Sequence, residues 1–129
     1  MSSQGSVIAR VYTSNAYIPL SNTPVTFLQT REGNRDQLLA FRYTNSSGLT
    51  SPVYVSTPDA AQSQSPGLSG TPFAAVDILV SYPGYRSVRA EGVQIFSGIE
   101  TIQDIQLEPD IGADTDRTQI IRPQFQQNL

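Results

Sequence analysis

Apolar residues in this chain recur with a period of two, in short runs that Gly, Pro, Asn and Ser interrupt. No stretch holds the 3.6-residue period of a helix. A backbone so patterned folds as strands with one buried face. In Gly5–Thr13, Val7, Ala9 and Val11 share one face, while Ile8, Arg10 and Tyr12 share the other. Further strands are expected at Val25–Thr30, Leu38–Thr44, Pro52–Ser56, Phe73–Tyr82, Ser87–Ala90, Val93–Phe96 and Ile99–Leu107. The most apolar is Phe73–Tyr82, where Ala74, Val76, Ile78 and Val80 form the inward row and Asp77 is placed on the opposite, solvated face. Turns are expected at Thr44–Gly48, Pro83–Tyr85, Glu91–Gly92 and Ser97–Gly98. Gly48 closes an Asx/Ser cluster and is expected to supply a positive φ. The last strand breaks alternation at Ile102, which argues a bulge near Gln103 or burial on both faces.

The chain has 129 residues, which is one domain, able to bury roughly two-thirds of its unfolded surface without staples. Strands spaced by about 8–12 residues argue an all-β protein with about seven to eight strands in a single β-sandwich. That sandwich is expected to span 1–108. Residues 109–129 read as an extended, acidic-to-polar C-terminal tail, either a subunit-linking arm or a linker. Between the strands, 57–72 is a long loop rich in Ser, Gln, Pro and Gly, a length that marks function or mobility.

The missing residue types restrict the chemistry. The chain holds no His, Cys, Lys or Trp, and all eight basic residues are Arg. A His proton shuttle, a Ser-His-Asp triad, a thiolate and a Schiff-base lysine are therefore all excluded, as is a Cys/His zinc site. The net charge of −3 offers no basic footprint for nucleic acid and no polybasic membrane patch. The N-terminus lacks the charged and apolar regions of a secretory signal, and no run approaches the roughly 20 apolar residues of a membrane span. These features argue synthesis in the cytoplasm, with a spore- or envelope-associated or non-classically exported destination left open.

The remaining candidates are modest. Glu91, Glu100, Asp104 and Glu108 are carboxylates of the type that cleaves glycosides in pairs, but no Trp is present to hold a sugar, and solvated strand faces are the expected reading. Asp110, Asp114 and Asp116 offer oxygens to Ca²⁺, yet counting from Asp110 the sixth and twelfth positions are Thr115 and Ile121 rather than Gly and Glu. An acidic linker is expected. Asn45-Ser46-Ser47 is a glycosylation sequon, read here as a turn-forming Asx. Tyr12, Tyr17, Tyr43, Tyr54, Tyr82 and Tyr85 serve either as core packing or as interface residues. Tyr43 beside Arg42, and Tyr85 beside Arg86, are candidate anchors. In the tail, Thr118–Arg122 is β-like and Ile120, Ile121 and Phe125 form an apolar island. Such a segment must be held by something, and a neighbouring subunit's sheet edge is favoured over its own.

Several segments together carry a resemblance. They are Ala9-Arg10-Val11-Tyr12-Thr13-Ser14, Asn22-Thr23-Pro24-Val25-Thr26, Ser47-Gly48-Leu49-Thr50-Ser51-Pro52, Gln62-Ser63-Gln64-Ser65-Pro66-Gly67 and Tyr82-Pro83-Gly84-Tyr85. Over residues 5–109 the chain resembles the carboxypeptidase-regulatory-like group of transthyretin-like, or Cna-B-like, β-sandwiches. In particular it is similar to the N-terminal prepeptide-like domain of spore cortex-lytic enzymes. The resemblance implies a non-catalytic domain that folds, docks or assembles. It departs from the pattern twice. The Lys–Asn or Lys–Asp isopeptide crosslink of many Cna-B domains cannot form without Lys, and no hydrolase follows within this sequence.

The expected function is accordingly a structural assembly module that self-associates through sandwich edges and tail, in a filament or a spore or envelope layer. The alternatives are a targeting or pro-domain of a cortex-lytic cell-wall hydrolase and a small glycan-binding module. No enzyme activity, cofactor, metal, nucleic acid or membrane is expected. The expected partner is a second copy, with cell-wall or spore-layer components as others.

Overall fold

A computed structural model of the chain describes residues 3–13, 18–31, 35–57, 73–109 and 119–121. Eight strands carry them: β1 (Ser3–Thr13), β2 (Pro24–Arg31), β3 (Arg35–Tyr43), β4 (Val53–Thr57), β5 (Phe73–Val80), β6 (Val88–Phe96), β7 (Glu100–Leu107) and β8 (Gln119–Ile121). They form two sheets, of order β4-β1-β7 and β3-β2-β5-β6-β8. All described pairings are antiparallel except β1 with β7 and β6 with β8, which are parallel. The all-β sandwich read from the sequence is the fold.

The core lies where the inward rows of the two sheets meet. Val7 and Val11 of β1 and Ile105 and Leu107 of β7 face Phe27, Ile78 and Ile95 of the other sheet, all at 0% exposure. Burying each such side chain contributes roughly 1.5–3 kcal/mol, so this shared interior holds the sheets together. The inward row of β5 is Ala74, Val76, Ile78 and Val80, as its alternation predicts.

One turn is fixed from several sides. Asn45 Oδ1 accepts from the amides of Ser47 and Leu49, at 2.8 and 3.1 Å. Gly48 closes the turn with φ of 77°, and its carbonyl accepts from the Val11 amide at 2.8 Å. Buried Thr44 and Thr50 flank it. Thr44 Oγ1 accepts from the Thr23 amide at 3.0 Å and donates to the Leu20 carbonyl at 2.5 Å, and Thr50 Oγ1 accepts from the Ala9 amide at 3.1 Å. The sequon is thus an Asx turn stitched to β1.

Four expectations are corrected. Glu91–Gly92 is not a turn between two strands but a bulge inside the single strand β6. Val76 pairs with Val93 and Ile78 with Ala90, so two residues oppose Asp77, and Gly92 absorbs the extra residue at φ of 75°. Asp77 is not solvated: its side chain is 13% exposed and ion-paired. β7 has no bulge near Gln103, because it runs beside β1 from Ser6↔Glu100 to Thr13↔Leu107 without a shift. Ile102 simply faces outward, 51% exposed. The tail strand β8 lies on the chain's own β6, with Ile120 opposite Arg89 and Ile121 opposite Ala90, rather than on a neighbour. The loop at 58–72, the Asp110–Asp116 cluster, Tyr17 and Phe125 lie outside the described residues.

Candidate functional site

The outer faces of the two sheets carry the exposed apolar residues. Pairing across β3 and β2 follows Tyr43↔Pro24, Phe41↔Thr26 and Ala40↔Phe27, then shifts to Leu38↔Leu28. The shift leaves Leu39 as an extra residue in β3. Because paired residues share a face, Leu38, Phe41 and Tyr43 all point away from the core. They are 61%, 46% and 61% exposed. Phe41 and Tyr43 meet edge to face, with centroids 5.2 Å apart. The row continues through Thr26, Leu79 and Arg89 to Ile120, which is 52% exposed. On the other sheet Tyr54 and Ile102 are the exposed outward residues.

At the centre of the five-stranded sheet's outer face is an ion cluster. Asp77 Oδ2 accepts from Arg89 Nη2 at 2.7 Å, and Asp77 Oδ1 accepts from the Gly92 amide at 3.0 Å. Arg89 Nε also lies 3.5 Å from Glu91 Oε2. The arrangement holds the β6 bulge in place. One guanidinium stands between two carboxylates, so the cluster carries a net charge of −1.

The other carboxylates are dispersed. Asp104 pairs with Arg10 across β7 and β1 at 2.6 Å, both side chains nearly half exposed. The hydrogen bond and charge of Asp104 raise the Arg10 pKa above its ordinary value. Glu108 lies 3.8 Å from Arg86, and Glu100 is exposed at the start of β7. The four carboxylates considered from the sequence share no cleft, and among the described residues no group of three acidic side chains converges as a metal site. Among the described residues no helix is long and apolar enough to cross a membrane. Shallow depressions open to solvent lie among the described residues. One of about 300 Å³ is lined by Arg10, Tyr12, Pro19 and Ser47, and one of about 260 Å³ by Gln4, Tyr54, Ile99 and Glu100.

The candidate interface residues separate into two groups. Tyr43 and Ile120 are outward and exposed. Tyr85, Arg86 and Ile121 have contacts within the chain. Tyr85 packs on the core beside Tyr82, at 5.7 Å, and bridges to Pro109, while the Arg86 amide donates to the Glu108 carbonyl at 2.9 Å. Ile121 packs against the core. Leu38, Phe41 and Ile102 are exposed residues that sequence reasoning missed. The doubled Leu38-Leu39 was the available signal, because it breaks alternation where β3 bulges.

No family matches the sequence, and no curated relative does. Solved structures match at the level of shape. A mutant of catechol 1,2-dioxygenase from Acinetobacter radioresistens aligns with a TM-score of 0.53 at 12% identity, over 95% of this chain and 58% of that one. The minor pilin GBS52 of Streptococcus agalactiae aligns at 0.49 and 12% identity, over 87% of this chain and 47% of that one. The Bacillus anthracis TIE protein aligns at 0.48 and 12% identity, over 83% of this chain and 17% of that one. This chain therefore spans less than two-thirds of each of these structures, and what the dioxygenase match carries is the fold alone.

Proposed function

We propose that this domain is a non-catalytic assembly module that associates with further copies of itself through its sheet edges, as a building unit of a filament or of a spore or envelope layer. The observation that carries this reading is the placement of large apolar side chains on the outer faces of both sheets, next to long strands with no neighbour on one side. β3, with nine residues, and β7, with eight, are such edges among the described residues. Edge strands of soluble monomers are normally short, charged or covered. The residue inventory supports the non-catalytic half of the proposal. No His, Cys or Lys is available, and Asp77, Glu91, Asp104 and Glu108 face Arg residues. The spore or envelope setting rests on the resemblance to the prepeptide-like domain of cortex-lytic enzymes.

The test is light scattering coupled to size exclusion, on the full chain and on a chain ending at Glu108. The full chain is expected to run above monomer mass with rising concentration. Two monomers at the highest concentration reached would refute the proposal.

A further inference from the structure

Resting on the assembly reading, the geometry points to one particular contact: we infer that two copies pair antiparallel along β3, about a two-fold axis passing between Leu39 and Ala40. Leu38 of each copy then lies opposite Phe41 of the other, and the two five-stranded sheets join into one.

Three observations lead to this register. First, β3 is the outermost strand of its sheet, and the edge facing away from β2 has no strand partner among the described residues. No Pro interrupts it, and its charged residues, Arg35, Asp36 and Arg42, lie toward its two ends. Second, the side-chain faces of β3 are self-complementary in one register along its whole length. The bulge sets Leu38, Phe41 and Tyr43 outward and Gln37, Leu39, Ala40 and Arg42 toward the core side. Antiparallel partners share a face. Setting Leu38 against Phe41 also sets Gln37 against Arg42 and Leu39 against Ala40, each pair on one face. Sliding either strand by one residue sets Phe41 against a core-side residue. A bulge usually protects an edge from pairing. Here the dyad places the bulge of one copy opposite that of the other, so the register stays in step on both sides of it.

Third, the area fits a weak pair. At their exposures of 61%, 46% and 61%, Leu38, Phe41 and Tyr43 present roughly 300 Å² of side chain per copy. Edge pairing covers the flanks of these side chains and leaves their outer faces in water, so with the two strand edges the buried total stays below about 1,000 Å², the range of transient contacts. Such a pair is reversible and forms at high protein concentration. The aromatic pair Phe41–Tyr43 supplies the rigid centre that such small interfaces rely on. The Arg42 Nη1 bond to the Phe41 carbonyl, at 3.1 Å and solvent-exposed, lies along this strand and is open to exchange.

Sedimentation velocity of the full chain over about 10–500 µM tests the inference. Phe41→Glu changes an exposed residue, and far-UV circular dichroism verifies that the variant stays folded. The wild type is expected to dimerise and Phe41→Glu to weaken the dimer at least about 30-fold. Ser97→Glu, at the exposed turn between β6 and β7, is expected to change nothing. The chain has no cysteine, so introduced thiols report the register cleanly. An oxidised mixture of Leu38→Cys and Phe41→Cys chains is expected to crosslink faster than either variant alone. A Phe41→Glu variant that dimerises like the wild type, thiols that show no preference, or a dimer lost only on removing residues after Glu108 would each overturn the β3 contact while leaving self-association standing. A wild type that is monomeric throughout overturns both.

Discussion

Replacing Gly48 by Ala isolates what the Asn45–Gly48 turn requires. Gly48 has φ of 77°, a conformation that costs an L-residue about 1–2 kcal/mol. An added Cβ would also stand 2.5 Å from the Val11 carbonyl oxygen and 3.2 Å from Pro19 Cβ. The first is a backbone atom already held by its partners, because that carbonyl accepts from the Leu20 amide at 3.0 Å. Relieving the clash means moving the turn off β1, an overpacking cost of about 1–3 kcal/mol. The total is about 2–5 kcal/mol. Gly92 provides the internal control: its φ is 75°, and an added Cβ meets nothing within 4 Å. Gly92→Ala should therefore cost only the conformational part, about 1–2 kcal/mol. At roughly 3–5 °C per kcal/mol for a chain of this size, thermal unfolding should fall by about 6–25 °C for Gly48→Ala and about 3–10 °C for Gly92→Ala. Equal shifts for the two variants would refute the argument that contact with β1, beyond the backbone angle, makes Gly48 irreplaceable.

Three further substitutions probe the polar contacts. Thr44→Val removes the acceptor of the buried Thr23 amide and should cost about 1–3 kcal/mol in urea unfolding, with the m-value unchanged. Asp77→Ala strips Arg89 and the Gly92 amide of their shared partner and should cost about 2–3 kcal/mol, because the side chains involved are only 13% and 25% exposed. Asp104→Asn breaks an exposed pair, so its melting temperature should stay within about 2 °C of wild type, and that small difference should shrink with added salt.

Local alternation placed the strands well because strand faces are a local property. Val7, Ala9 and Val11 on β1, and the β5 row from Ala74 to Val80, could be assigned inward before any pairing was known. The Asx cluster before Gly48 likewise encodes its turn within five residues. What failed to show depends on partners distant in sequence. Nothing in Glu91-Gly92 distinguishes a turn from a bulge until Asp77 is seen to accept the Gly92 amide from the next strand. Asp77 looked solvated because its face is an outer one. It is covered there because Arg89, twelve residues later, folds over it. Ile102 looked anomalous only while outward residues were assumed to be polar. The exposed surface of β3 was hidden by the extra residue at Leu39, which moves Phe41 and Tyr43 onto the same side as Leu38.

If edges and outer faces are where this domain acts, amide hydrogen exchange at two protein concentrations reads that directly. Raising the concentration from about 10 to 500 µM should slow exchange across 35–43 while amides of the enclosed strand β5 stay unchanged. An exchange profile identical at both concentrations, at β3 and at every other edge, would contradict it.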